Sequence, residues 1–179
     1  MTAEFAPLAA DFTGFAADLP AQEREFLASL RARVERDLAP VVDEHWEAAT
    51  FPEALPRVLA EANACGLAFE ESRPFENSAL MRGWTMLELA RVDASVATYV
   101  GVQSGLAMGS IGLCGSAEQR ERWLPALASG ELIGSFGLTE PLSGSDSARG
   151  LRTTARREGD EWVLDGEKRW IGNATLGDL

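Results

Sequence analysis

The sequence predicts an α+β fold: an N-terminal all-α helical bundle followed by the start of an antiparallel β-domain. Three observations carry this. As far as Gly130 the apolar residues recur at intervals of three and four, and beyond it they alternate. Gly159-Asp160 and Asp165-Gly166 punctuate the alternating part as hairpin turns do. Between Asp93 and Glu118 there is no charge at all, which suits a helix buried on all sides within a bundle.

The elements follow in order. Residues 1–19 lack a helical period and read as a lead-in arm. Phe26, Leu30, Val34 and Leu38 recur every four residues among charged neighbours, giving a helix that stops before Pro40, with a shorter piece to about Ala49. Pro52 suits a first helical position, Leu55, Val58, Leu59 and Ala62 form the next stripe, and Gly66 is expected to close it. Leu80, Trp84, Leu87 and Arg91 share one face of a third helix, and Asp93 suits the boundary before a fourth. Ser116 and Gln119 carry a capping-box spacing, ahead of a helix that Pro125 is expected to disturb.

Then come strands at Leu132–Leu138, Leu151–Glu158, Glu161–Leu164 and Glu167–Ile171. The divisions are thus 1–19, 20–130 and 131–179. A sheet cut at Leu179 would expose an unpaired edge, so the chain is expected to be part of something larger.

Composition narrows the function. The 179 residues hold 28 acidic and 16 basic side chains, a net charge of −12 that disfavours nucleic acid and anionic bilayers as partners. The uncharged run is long enough for a membrane helix, and Gly101, Gly105 and Gly109 form a small-residue seam. Thr98, Gln103, Ser104, Ser110 and five glycines argue instead for a soluble bundle, in which the seam would let a neighbouring helix or a thin apolar ligand come close. Cys65 and Cys114 are too far apart for a metal-ligand spacing, and His45 is the lone histidine. An acidic N-terminus without a basic region before an apolar run reads as cytoplasmic. Lys168, the only lysine, reads as compositional bias.

The informative segment is Phe136-Gly137-Leu138-Thr139-Glu140-Pro141-Leu142-Ser143-Gly144-Ser145-Asp146. Gly144 permits close approach of an anion to the main chain, and Ser143, Ser145 and nearby N–H groups can donate to it. A plain surface turn would use the same residue types.

This segment resembles the signature of the acyl-CoA dehydrogenase family, flavoenzymes that oxidise the α,β-bond of acyl-CoA thioesters. Lys168-Arg169-Trp170-Ile171-Gly172-Asn173 is similar to a second family motif. Ala90-Arg91-Val92-Asp93-Ala94-Ser95, running into Val102-Gln103-Ser104, is similar to a third. Cys114-Gly115-Ser116-Ala117-Glu118-Gln119-Arg120 before Trp123-Leu124-Pro125 resembles a fourth, and the four stand in family order.

The resemblance implies FAD as cofactor, held by Phe136, Gly137, Leu138, Thr139, Gly144, Ser145, Trp170, Ile171 and Gly172, with Ser145 and Thr98 beside the acyl-CoA. It implies an electron-transfer flavoprotein or oxygen as acceptor, a place in fatty acid metabolism, and a homo-oligomer. In the family the glutamate that takes the α-proton lies in a C-terminal helical domain. No carboxylate here matches it, so this chain contributes no catalytic residue and is expected to be inactive alone. Glu140 is expected to pin its turn.

Two departures refine this. Gly172 stands where the common pattern has threonine, which would remove a hydroxyl beside the flavin and leave space there, as in a short-chain acyl-CoA oxidase branch. Ala97 stands where the otherwise similar glutaryl-CoA dehydrogenase branch has an arginine, so a short or branched monocarboxylic acyl chain is expected. The alternatives are an acyl-CoA oxidase and a non-catalytic acyl-CoA-binding or assembly module.

Overall fold

The computed structural model describes residues 11, 14–144 and 146–179. Most of the expected lead-in arm therefore lies outside the described residues. Its end is a short 3₁₀ turn, Phe15–Asp18, after which Leu19 is buried.

Helix α1 (Ala21–Asp37) is separated by Leu38 alone from α2 (Ala39–Ala48), which carries Pro40 in its first turn, where no N–H is missed. Helix α3 (Leu55–Glu61) is shorter than its stripe suggested. Asn63, left-handed at φ 52°, closes it, with Ala64 N–H donating to Leu59 O at 3.0 Å; Gly66 is not the cap. Helix α4 (Ala79–Val92) buries Met81, Trp84, Thr85, Glu88 and Leu89. That face is rotated from the expected one: Leu87 is exposed, because the helix meets α1 on one side and α5 on another.

Asp93 caps α5 (Ala94–Val100), accepting from Ser95 N–H and Val96 N–H. The helix continues through a π-helical turn (Gly101–Ala107) into α6 (Met108–Cys114). This long element is not buried all round: Thr98, Gly105, Ser110 and Leu113 face outward. Of its glycine seam, Gly101 faces Met86 of α4, 3.7 Å from where a Cβ would stand, while Gly105 has nothing within 4 Å. Among the described residues no helix is long and apolar enough to cross a membrane. Helix α7 (Ala117–Ala128) opens on the complete Ser116/Gln119 capping box and runs through Pro125 unbroken.

Three apolar clusters form the core. The largest joins α1, α2, α3, α4 and α5 around Val34, Leu38, Leu59 and Leu89. A buried ionic junction backs it: Glu88 takes Arg31 in a two-pronged pair at 2.7 and 2.6 Å, with Arg91 Nε at 3.4 Å.

The β part is smaller than expected. Strands β1 (Thr154–Glu158) and β2 (Glu161–Asp165) form one antiparallel hairpin around Gly159-Asp160, with Glu158 opposite Glu161. Leu132–Leu138, Leu151–Thr153 and Glu167–Ile171 are not strands. The main chain of 132–135 pairs instead with Gln103 and with Asp178 and Leu179, so alternation of apolar side chains there does not produce a ladder.

Candidate functional site

After α7 the chain continues as an irregular strip, Phe136–Thr139, then turns at Glu140–Gly144. Glu140 and Gly144 form an isolated antiparallel bridge, and Gly144 is left-handed at φ 52°. Past the hairpin the chain returns alongside: Arg169 N–H donates to Thr139 O at 2.9 Å and Lys168 Nζ donates to Leu138 O at 3.2 Å. The two motifs, far apart in sequence, thus lie side by side.

Glu140 is the organiser. It is buried, and it accepts from Arg152 N–H at 2.6 Å, Thr153 N–H at 3.1 Å and Lys168 Nζ at 2.8 Å. The Lys168 ammonium, with Thr153 and the Arg152 amide, holds this carboxyl down to about 2. A carboxylate so placed is a poor base and a good anchor. The single lysine is therefore a structural partner of the turn rather than a compositional accident.

The placement of each expected residue is uneven. Phe136, Leu138, Thr139 and Ile171 are half-buried, whereas Gly137, Gly144 and Gly172 are exposed. Ser145 lies outside the described residues. Leu138 N–H donates to Phe136 O at 3.1 Å, so this amide is already engaged. Trp170 is 84% exposed and holds φ 56°, a left-handed backbone that bulky residues seldom adopt and that clusters at functional sites. Thr98 lies on the outward face of α5, its hydroxyl donating to Ala94 O.

Gly172 packs on the helical bundle: a Cβ there would stand 3.0 Å from Val102 Cγ2. The space expected beside this glycine is thus occupied on the Cβ side by Val102. Gln103, fully buried in the π turn and bonded to the chain entering the strip, received no site role from sequence reasoning. Its signals were a polar residue inside an uncharged run and a place in the third family-like motif.

Whether a dinucleotide fits can be judged from three features. Nothing lies within 4 Å of a Cβ placed on Gly144, so a ligand can come close there, while the N–H groups of Ser143 and Gly144 make long bonds to Glu140 O at 3.3 and 3.4 Å. Ser143 Oγ beside it is buried without a hydrogen-bond partner among the described residues, a donor awaiting an acceptor. Trp170 presents an aromatic face to solvent. The residues present fit a phosphate-bearing aromatic cofactor. Among the described residues no cluster of His, Cys, Asp and Glu could hold a metal ion.

The chain is similar to known proteins over nearly its whole length. The acyl-CoA dehydrogenase N-terminal domain matches residues 20–131 and the acyl-CoA dehydrogenase middle domain matches residues 135–179. The chain belongs to the acyl-CoA dehydrogenase family. It is 35% identical over 158 residues to the mitochondrial short-chain specific acyl-CoA dehydrogenase of Homo sapiens, covering 88% of this chain and 38% of that one. Glutaryl-CoA dehydrogenase from Mycobacterium smegmatis is similar in structure, with TM-score 0.86 and 40% identity over 97% of this chain and 45% of that one. A glutaryl-CoA dehydrogenase of the same organism in complex with FADH2 matches with TM-score 0.83 and 37% identity, over 94% and 43%. The chain therefore spans less than half the length of these relatives.

Proposed function

We propose that this chain supplies the helical domain and the flavin strip of an FAD-dependent acyl-CoA dehydrogenase acting on a short or branched acyl-CoA. One observation carries the reading: the hydrogen-bonded pairing of Leu138–Glu140 with Lys168–Arg169 leaves the Gly144 turn and the Trp170 ring open together. Gly144, Ser143 and Ser145 would receive the phosphates, and Phe136, Leu138, Thr139, Trp170 and Ile171 the ring. When bound there, the flavin supplies two-electron oxidation of the acyl α,β-bond.

This chain's own residues bind and orient. Glu140 is committed to three donors and is assigned no proton transfer, so the 179 residues are expected to show negligible turnover by themselves. Ala97, buried in α5, offers no cation to a second carboxylate, which supports a monocarboxylic acyl group. Electrons would pass to an electron-transfer flavoprotein, with oxygen as the alternative acceptor. A cytoplasmic, homo-oligomeric enzyme of fatty acid metabolism completes the proposal.

The test is titration of the chain with FAD, followed by flavin fluorescence. Stacking on an aromatic is worth about 1–3 kcal/mol, so Trp170→Ala is expected to weaken binding about tenfold or more. FAD left free at every chain concentration, or bound equally well by Trp170→Ala, counts against the flavin site. Butyryl-CoA against glutaryl-CoA, and peroxide against dye reduction in protein complemented with the remaining part of a relative, decide substrate and acceptor.

A further inference from the structure

The π turn Gly101–Ala107 places one fully buried polar side chain, Gln103, among apolar neighbours. Such turns are rare and tend to mark functional positions. All three of its bonds go to main chain, and none stays within its own helix. Its Nε2 donates to Leu127 O and to Leu132 O, both at 2.8 Å, and its Oε1 accepts from Gly134 N–H at 2.8 Å. The far side of the Gly134 peptide is taken as well: Asn173 Nδ2 donates to Gly134 O at 3.2 Å.

Gly134 is thus held between the bundle and the returning chain. Only glycine fits, since a Cβ would stand 2.5 Å from Ala107 Cβ. Two residues past Gly134 the Phe136 strip begins, and three residues before Asn173 stands Trp170. Val102, next to Gln103, meets Gly172 from the same turn. Both halves of the candidate flavin surface are therefore tied to Gly134, and Gln103 is the side chain that bonds Gly134 to the helical bundle.

We infer that Gln103 is a positioning residue, setting through Gly134 where the Phe136–Thr139 strip and the Trp170–Gly172 loop stand against the helical bundle. The functional sense of this rests on the flavin reading above; the junction itself does not. A glutamine serving stability alone would act on the bundle as a whole. A positioning glutamine acts on the strip and the loop first.

The experiment is amide exchange and ¹H–¹⁵N NMR on the 179-residue chain, comparing wild type with Gln103→Met and Asn173→Asp. In Gln103→Met the Gly134 amide is expected to exchange about 5–30-fold faster, the factor for one or two kcal/mol. Signals of 136–139 and 170–172 should move together, while the amides of Leu59 and Leu89 keep their protection. Asn173→Asp cannot donate to Gly134 O and leaves the three Gln103 bonds in place, so it should move the strip and loop alone.

Unmoved strip signals in both variants overturn the inference. So does a uniform loss of protection in Gln103→Met alongside a silent Asn173→Asp. If Gln103→Met fails to fold, the shorter Gln103→Asn replaces it under the same reading: shifted strip and loop signals with Leu59 and Leu89 still protected support the inference, and a bundle-wide loss overturns it. FAD added to wild type reads the flavin assignment separately: strip signals that ignore FAD remove the cofactor while leaving the junction.

Discussion

Replacing Gly134 by alanine puts a methyl group 2.5 Å from Ala107 Cβ and 3.2 Å from Leu127 Cδ2. Carbon atoms rest comfortably at about 3.5–4.0 Å, so the chain entering the strip must retreat from the π turn by about 1 Å. Overpacking of this size costs about 1–3 kcal/mol. The retreat also stretches the bond from Gly134 N–H to Gln103, a further loss of about 1 kcal/mol. Against these, alanine restricts the unfolded chain and returns about 0.4–1 kcal/mol.

The net expectation is destabilisation by about 1–3 kcal/mol. For a chain of 179 residues each kcal/mol moves Tm by about 2–4 °C. Gly105→Ala is the matched control. It lies in the π turn that also carries Ala107, with nothing near its missing Cβ, so it is expected to stabilise by about 0.5–1 kcal/mol. Thermal unfolding followed by far-UV circular dichroism measures both, with urea unfolding as a check on reversibility. A Gly134→Ala protein as stable as wild type, with Gly105→Ala no better, would refute the packing argument.

Further outcomes can be stated briefly. Glu88→Ala removes the buried partner that takes Arg31 in two bonds, while Arg91 keeps its pair with Glu35; breaking a buried pair costs about 3–5 kcal/mol, and with 18% of the Arg31 side chain in contact with water the lower end is expected by urea unfolding. Glu140 has its folded pKa depressed to about 2, so its stabilising contribution is complete above the ordinary carboxylate range and disappears as pH falls toward 2; acid unfolding of Glu140→Gln should lack that part of the wild-type pH dependence. Ser116→Ala removes the acceptor for Gln119 N–H and should cost about 1 kcal/mol, with a Tm drop to match. Burial pushes the Cys65 thiol up to about 11, so a thiol reagent at pH 8 should titrate exposed Cys114 in the native chain and reach Cys65 only on unfolding.

Much of this architecture is legible in sequence because it is local. Asp93 and Ser116 announce helix starts through side chains that reach two or three residues onward, and the Gly159-Asp160 turn sets its hairpin register with the same short reach. The turn carrying Gly144 was legible by residue type, and Glu140 as its anchor by position.

The errors have a common form. Alternating apolar residues at Leu132–Leu138 and Glu167–Ile171 look like strands, yet a strand exists only where a neighbouring main chain completes the ladder. Here the neighbours are Gln103, Asp178 and Thr139. Asn63 rather than Gly66 ends α3 because the left-handed residue must follow the last turn directly, whichever residue type suits it best.

Spacing and capping in the chain determined the helices, the hairpin and the residue types of the candidate cofactor turn. Tertiary structure alone decided which face α4 buries, that Lys168 locks Glu140, and that Gln103 holds Gly134. The reason is range. Dihedral preferences and caps act over a few residues, whereas Gln103 and Gly134 are 31 positions apart and Arg31 and Glu88 are 57 apart. A buried polar group takes whichever partner packing brings within reach, and its own neighbours in sequence do not name that partner.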